Sequence, residues 1–131
     1  MMRDIKDNID EKPSLAPAAR VNGTATGNPV DMQGYYSGMA VFEAGAWTDG
    51  THTPSLFDSP DGTTFTAVGT QYLQGTLNPV SGTAGQNSIQ RQGYIGPNRF
   101  LQGMLVVGGA TTGMLSRISI VRGSPTVKPL A

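Results

Sequence analysis

One residue of the chain could serve as a general base near neutral pH, the single histidine His52. It lies in the segment Trp47–Pro54, whose Thr, Gly and Pro residues are typical of a loop. A catalytic histidine needs a nucleophile and an orienting acid that converge on it. The sequence contains no Gly-x-Ser-x-Gly, Walker or His-Glu-x-x-His motif to supply them. We therefore expect His52 to be a structural or solvent-facing loop residue, and we predict no catalytic site and no enzyme activity.

Acidic residues are too sparse to predict a metal or glycosidase site. Between residues 32 and 131 the acids are Glu43, Asp49, Asp58 and Asp61. The chain has no cysteine, which excludes zinc sites that need sulfur. Asp58 and Asp61 lack the alternating ligand pattern of a calcium loop, and a turn role accounts for Asp61. We predict no bound metal and no cofactor.

The charge balance argues against two kinds of partner. Nine Lys and Arg residues balance nine Asp and Glu residues in 131, so the formal net charge is zero. Such a chain has no basic surface to attract a phosphate backbone or an anionic membrane. The first residues are charged where a signal peptide is apolar, and no apolar run reaches membrane-spanning length. We expect synthesis in the cytoplasm and neither a nucleic-acid nor a membrane partner.

The pattern of apolar residues predicts an all-β fold. Turn residues recur about every ten positions, and no stretch sustains a helical period beyond two turns. Strands are predicted at Arg20–Asn22, Met39–Glu43, Ser55–Asp58, Thr64–Val68, Tyr72–Gly75, Ser88–Ile95, Arg99–Val107 and Met114–Arg122. This number of short strands favours a single small β-sandwich, jelly-roll or immunoglobulin-like. We expect an N-terminal arm over 1–19, the sandwich over 20–122 and an extended C-terminal tail over 123–131.

Two hairpins are predicted from turn chemistry. Pro60, Asp61 and Gly62 favour a tight reversal after Ser55–Asp58. The glycine-rich segment Gly108–Gly113 is expected to join the last two strands as a second hairpin, with the first of these strands covered on both faces. The expected core comprises Val41, Phe42, Leu56, Phe65, Val68, Leu73, Ile95, Phe100, Leu105, Val107, Ile118 and Ile120.

Both ends of the chain carry apolar residues suited to contact a partner. Met2, Ile5 and Ile9 are spaced to share one side of a short helix, and a helix this short needs a surface to lie on. In the tail, two prolines favour an extended conformation that presents Val127 and Leu130. The alternative for the first dozen residues is a frayed terminus. Tyr35, Tyr36 and Trp47 are candidate surface aromatic contacts.

Several segments, in collinear order over nearly the whole chain, resemble small virion proteins of tailed bacteriophages that are encoded near the major capsid protein. They are Arg3–Asp10, Leu15–Ala18, Ala46–Pro54, Asp61–Thr66, Gly109–Gly113 and Val121–Pro125. The resemblance implies a structural role, above all a capsid decoration or cement protein on the virion surface. Its partners would then be the major capsid protein and copies of the chain itself. A neck or tail position in the same particle is the alternative within this group.

A second resemblance leads to a different class of function. The strand-turn-strand pattern of Leu56–Val68, with Arg99–Gln102 and Val121–Gly123, is similar to galactose-binding-like and other carbohydrate-binding β-sandwich modules. Such modules bind sugars on aromatic side chains with polar groups beside them. The alternative function is therefore carbohydrate binding through the tyrosines or Trp47.

Overall fold

The computed structural model describes residues 1–126, so the predicted contact residues Val127 and Leu130 lie outside the described part of the chain. The strands are β1 (Ile9–Arg20), β2 (Gly23–Thr26), β3 (Val30–Asp31), β4 (Tyr35–Trp47), β5 (Thr51–Ser59), β6 (Thr66–Ala67), β7 (Leu73–Gln74), β8 (Ser88–Tyr94), β9 (Phe100–Gly108) and β10 (Met114–Pro125). Two single 3-10 turns, Thr70–Tyr72 and Thr83–Gly85, interrupt the strands. The prediction of an all-β fold is confirmed.

The strands form two antiparallel sheets that pack face to face. The first sheet has the order β1-β10-β4-β8-β7, and the second has the order β2-β9-β5-β6, with β3 also paired to β9. The pairs are nested along the chain: β1 pairs with β10, β2 with β9, β4 with β8 and β5 with β6. A long antiparallel ribbon wound into two sheets in this way is a jelly roll. Of the two predicted sandwich types, the strand order is that of the jelly roll.

The core lies between the sheets as two apolar clusters. One surrounds Phe42, Leu105 and Ile118, and the other surrounds Ala40, Leu101 and Ile120. Of the predicted core, Phe42, Leu56, Val68, Leu105, Val107, Ile118 and Ile120 are buried. The prediction is wrong for Ile95, which is exposed beyond the end of β8, and Val41, Phe65, Leu73 and Phe100 are half-buried. Val41 and Phe100 fail because each directly adjoins an inward-facing residue, and neighbours along a strand point to opposite faces.

A polar contact joins β1 of the first sheet to β9 of the second. Ser14 is buried in β1, where the register with β10 shifts between Pro13 and Leu15. Its Oγ accepts a hydrogen bond from the backbone N–H of Gly103 at 2.8 Å and donates one to the carbonyl oxygen of Asn28 at 2.8 Å. Gly103 lies so close to the opposite sheet that a Cβ there would stand 2.6 Å from Cγ2 of Ile118. The bulge in β1 thus turns a small polar side chain inward to satisfy backbone groups of the second sheet.

The predicted hairpin between the last two strands is wrong. β9 pairs with β2 and β5 in the second sheet, while β10 pairs with β1 and β4 in the first. The segment after Gly108 therefore crosses between sheets. Because glycines permit positive φ in a crossing as well as in a tight turn, they predict a reversal without predicting which strands pair. β9 is central in its sheet, yet Val106 on its outer face is exposed, so the expectation that β9 is covered on both faces is also wrong.

The first predicted reversal is confirmed. After Ser59 the chain turns back, and Phe57 and Asp58 of β5 pair with Ala67 and Thr66 of β6. Asp61 stabilises the turn, because its Oδ1 accepts hydrogen bonds from the N–H groups of Thr63 and Thr64 and from the Ser59 hydroxyl. These donors lower the pKa of Asp61 to about 2. This carboxylate therefore has a structural role in the turn.

The predicted helix through Met2, Ile5 and Ile9 is wrong. Ile9 is the first residue of β1, and the residues before it make a single turn at 6–8. β10 offers a backbone ladder along Ile9–Arg20, whereas a helix ending before Pro13 would be too short to be stable alone. The part of the expected arm from Ile9 onward is thus an edge strand of the first sheet. Residues 1–8, which precede it, are called the arm below.

Candidate functional site

Three strand termini meet at one end of the first sheet. Ile9 at the start of β1 lies opposite Gly123 near the end of β10, and Gly123 lies opposite Ser37 near the start of β4. Of the residues predicted to contact partners, Ile9, Tyr35 and Tyr36 lie at this end, and Met2 and Ile5 precede Ile9 in the chain. We call this region the arm end.

The arm exposes its apolar side chains. Met2 is 98% exposed and Ile5 is 67% exposed, so neither is covered by the described part of the chain. The turn before β1 is held by polar contacts: the N–H of Asn8 donates to the carbonyl oxygen of Ile5 at 3.1 Å, and the Asn8 amide donates to that of Asp4. Exposed apolar side chains on a segment with few contacts of its own are suited to order against another surface.

The root of the arm is linked electrostatically to the first tyrosine. Arg122 of β10 pairs with the carboxylate of Asp10 in β1 and donates to the carbonyl oxygen of Asp31 at 2.8 Å. Its guanidinium also lies 4.4 Å from the centre of the Tyr35 ring, a cation–π contact. Tyr35 is therefore held in place by Arg122, while Tyr36 beside it is 82% exposed.

A small cleft opens beside these tyrosines, with a volume of about 310 Å³. Its lining, called the tyrosine cleft below, comprises Met32, Tyr35, Tyr36, Ser37, Gly38, Gln74, Tyr94, Ile95, Gly96 and Asn98. None of these side chains carries a charge at neutral pH. The amides of Gln74 and Asn98 make no hydrogen bond within residues 1–126, so their donors and acceptors remain available in the cleft.

The floor of the tyrosine cleft is fixed by a buried network. The hydroxyl of Tyr94 donates to Oδ2 of Asp58 at 2.8 Å and accepts from the N–H of Asn98 at 2.9 Å. Burial and the hydrogen bond to Asp58 raise the pKa of Tyr94 to about 12. Gly96 lies directly against this phenol, because a Cβ there would stand 2.5 Å from the Tyr94 oxygen. The cleft is thus built on a rigid base.

Trp47 does not join this site. It lies at the far end of β4, packs against the cluster around Phe42 and donates from Nε1 to the carbonyl oxygen of Gly50 at 2.9 Å. Tyr94 is one of the tyrosines that the sequence offers for carbohydrate binding, whereas Gln74 and Asn98 are not among the predicted contact residues. No local pattern marks Gln74 or Asn98 as site residues, because β7, β8 and β4 meet through tertiary pairing alone.

Of the two roles predicted for His52, structural or solvent-facing, the structure shows the structural one. The predicted position in a loop is wrong. His52 is fully buried in β5, and its backbone exchanges hydrogen bonds with Val80 at 2.8 and 2.9 Å. Its Nε2 lies 3.0 Å from the carbonyl oxygen of Asp49, to which it donates. Asp49 in turn accepts from the N–H groups of Thr111, Thr112 and Gly113. Together they anchor the crossing between β9 and β10.

Within residues 1–126, no group of three or more His, Asp or Glu side chains is arranged to hold a metal ion. No helix in that part of the chain is long and apolar enough to cross a membrane. The chain matches no family model, no curated protein and no solved structure.

Proposed function

We propose that the protein is a structural virion component of a tailed bacteriophage, a capsid decoration protein that binds the shell of major capsid protein on the virion surface. The observation that carries the proposal is the exposed arm, whose Met2 and Ile5 find no cover on their own domain. The sequence resemblance supports the same role. Jelly rolls occur in viral capsid domains, which supports it by analogy of fold alone.

The edge strand β1 is better suited to bind a partner through its side chains than through backbone pairing with a strand of the partner. β1 is a free edge, but Pro13 and Pro17 lie in it and carry no N–H to donate to an incoming strand. The arm extends from the start of this strand. Weak contacts by arms of many copies suffice on a shell, because each contact raises the effective concentration for the next.

The experiment compares binding of the full chain and a variant lacking residues 1–8 to capsids assembled without it. Met2 and Ile5 would each contribute about 1.5–3 kcal/mol when buried, so we expect occupancy to fall by more than about tenfold. Circular dichroism should stay unchanged, since the deletion ends before β1. The exposed Val106→Ser variant is the control. Undiminished occupancy without the arm would refute the proposal.

The number of copies of the protein in each particle distinguishes a position in the neck or tail from a position on the shell. A decoration protein should bind purified shells in numbers comparable to those of the capsid subunits and should be visible over the whole surface in a particle reconstruction. A few copies confined to the neck or tail would replace the shell assignment with the other structural position.

The tyrosine cleft favours carbohydrate binding as a second candidate function. Tyr36 offers an exposed ring face for the C–H groups of a sugar, and the Gln74 and Asn98 amides can both donate to and accept from its hydroxyls. The absence of charged side chains among the residues that line the cleft favours a neutral saccharide. At about 310 Å³ the cleft lies at the small end of ligand sites and suits a terminal sugar rather than a long chain.

This candidate is tested on an array of neutral and acidic glycans, followed by titration of any neutral sugar that binds. Tyr36→Ala should weaken binding about tenfold, the upper range for one aromatic contact, and Asn98→Ala should weaken it too. Val106→Ala is the matched control outside the cleft. An array without signal, binding only to acidic glycans, or binding that survives both cleft variants would each exclude the candidate.

A further inference from the structure

The connection between β1 and β2 contains the one Asn-Gly pair of the sequence, Asn22 and Gly23. A glycine after asparagine leaves its backbone nitrogen unshielded, so this nitrogen can reach the side-chain carbonyl carbon of the asparagine. Both residues are exposed. Only Val21 and Asn22 stand between Arg20, the last paired residue of β1, and Gly23, the first of β2. The pair thus lies in a short, solvent-exposed link between the two sheets.

The backbone around Gly23 leaves room for its nitrogen to react. Gly23 begins the four-residue edge strand β2. Its φ is +127°, and a Cβ built there would meet no atom within 4 Å. The end of a short edge strand opens locally more readily than the centre of a sheet. The Gly23 nitrogen can therefore leave its ladder without disturbing the rest of the sandwich.

The side chain of Asn22 is held in a way that favours attack on its carbonyl carbon. Its Oδ1 accepts a hydrogen bond from the backbone N–H of Ala110 at 2.6 Å. Ala110 is buried in the segment between β9 and β10, so this donor is fixed in place. A fixed N–H stabilises the negative charge that develops on a carbonyl oxygen under attack. The Nδ2 atom, which must leave, donates no hydrogen bond within residues 1–126.

The other asparagines lack one of these properties. Asn28 and Asn78 precede prolines, whose nitrogen carries no proton that could be given up. The remaining ones precede residues with a side chain beside the attacking nitrogen: Asn8, Asn87 and Asn98. Asn22 is therefore the asparagine of this chain at which ring closure meets the least hindrance.

Two Asp-Gly pairs, Asp49-Gly50 and Asp61-Gly62, could close the same ring, but their carboxylates are engaged. Each accepts hydrogen bonds from backbone N–H groups of its own turn or of the crossing between β9 and β10. These donors lower the pKa of both side chains and keep them ionised at neutral pH. An ionised carboxylate is a poor target for a nucleophile, whereas the neutral amide of Asn22 is not.

We propose that Asn22 is a site of spontaneous deamidation in the folded protein, with water as the only co-reactant. The Gly23 nitrogen bonds to Cγ of Asn22, its proton passes to Nδ2, and ammonia leaves as a succinimide ring closes. Water then adds across either C–N bond of the ring. Cleavage of the bond to Cγ gives aspartate, and cleavage of the other gives isoaspartate, whose main chain runs through Cβ and Cγ. The reaction requires neither a capsid nor a sugar.

The two products have different consequences for the fold. Both add a negative charge to a chain whose formal net charge is zero. Aspartate leaves the backbone unchanged and can still accept from the N–H of Ala110. Isoaspartate adds one carbon atom to the main chain of a two-residue link whose ends are fixed by the pairs Arg20–Met114 and Gly23–Val107. It should therefore loosen β2 from β9.

The test is incubation of the full chain in mildly alkaline buffer, which favours removal of the amide proton, followed by peptide mass spectrometry and labelling with an isoaspartyl methyltransferase. We expect loss of ammonia from Asn22 ahead of every other asparagine, an acidic shift of one charge, and a methylated peptide that contains residue 22. Asn22→Gln should abolish the shift, because its longer side chain would have to close a larger ring. Asn8→Gln is the matched control and should leave the shift unchanged.

A parallel incubation in urea distinguishes the folded chain from the Asn-Gly pair alone. No conversion in the folded chain, whatever happens in urea, would overturn the proposal. Equal rates at Asn22 and Asn87, or an acidic shift that survives in Asn22→Gln, would do the same. Thermal unfolding of fractions separated by ion exchange checks the consequence for the fold. The isoaspartate fraction should melt below the Asn22→Asp variant, and equal midpoints would overturn the loosening of β2 from β9.

Discussion

The hydroxyl of Tyr94 in β8 donates a hydrogen bond of 2.8 Å to the carboxylate of Asp58 in β5, and so links the two sheets through the buried interior. The same oxygen accepts from the N–H of Asn98 in the tyrosine cleft. One phenol therefore serves both the packing of the sheets and the shape of the cleft. Its removal affects stability and the cleft together.

Tyr94→Phe should destabilise the protein by about 1–3 kcal/mol, because it leaves the buried Asp58 carboxylate without this donor. The free energy of unfolding, measured by denaturant titration, checks the expectation. Tyr36→Phe is the matched control, since Tyr36 is exposed and its hydroxyl has no partner within residues 1–126. Equal effects of the two substitutions would contradict the role assigned to the Tyr94–Asp58 bond.

Alkaline pH should remove the stabilisation that the hydrogen bond between Tyr94 and Asp58 provides. The pKa of Tyr94 is raised to about 12 from its ordinary value of 10.0, chiefly by burial and then by the bond to Asp58. A raised pKa means that the folded state favours the protonated phenol, so its contribution is complete below pH 10 and is lost as pH rises towards 12. The stability difference between the wild type and Tyr94→Phe should shrink across that interval. A constant difference would argue against the linkage.

The Asp49 carboxylate should stabilise the crossing between β9 and β10 at neutral pH. Hydrogen bonds from the N–H groups of Thr111 and Gly113 lower its pKa below the ordinary value of 3.8. Its contribution is therefore present above that value and lost as pH falls through the lower pKa of the folded state. Asp49→Asn, with a single acceptor oxygen, should be less stable than the wild type at pH 7. The free energies of unfolding of the two proteins, measured by denaturant titration at several pH values, should become equal in acid. A difference that stays constant over the whole pH range would refute this assignment.

Substitutions at two glycines in the segment between β9 and β10 allow the cost of backbone strain to be compared with the cost of a steric clash. Gly109 and Gly113 both have positive φ, at +70° and +82°. A Cβ at Gly109 would meet open space, whereas at Gly113 it would collide with the carbonyl oxygen of Arg20. Gly109→Ala should cost about 1–2 kcal/mol from backbone strain alone, and Gly113→Ala should cost clearly more. Thermal unfolding of both variants checks this, and equal losses would show that the chain around Arg20 yields easily.

Strand positions could be predicted from local patterns where alternation was clear. In β10, Met114, Ser116, Ile118 and Ile120 share the buried side as their spacing predicts. The local pattern does not predict β1, since Pro13 and Pro17 are unfavourable in most strands, yet an edge strand tolerates proline where no N–H is needed. The pairing of β9 and β10 with different sheets depends on contacts between distant segments, on which local turn residues carry no information.

The candidate sites could be predicted only in part for the same reason. Gly34 and Gly38 flank Tyr35 and Tyr36, a pattern compatible with exposure, and Tyr36 is exposed. Gln74 and Asn98 come to the tyrosine cleft from separate segments that no single stretch of sequence brings together. A local sequence pattern can predict a strand or a turn, whereas a cleft depends on how distant strands pair.

The nested pairing of the strands places the start of β1 beside the end of β10, with Ile9 opposite Gly123. The jelly roll is therefore suited to circular permutation, since a short linker could join these neighbouring positions while new ends open at an exposed loop. In such a rearranged chain residues 1–8 would no longer belong to the domain, while every pair of strands would be kept.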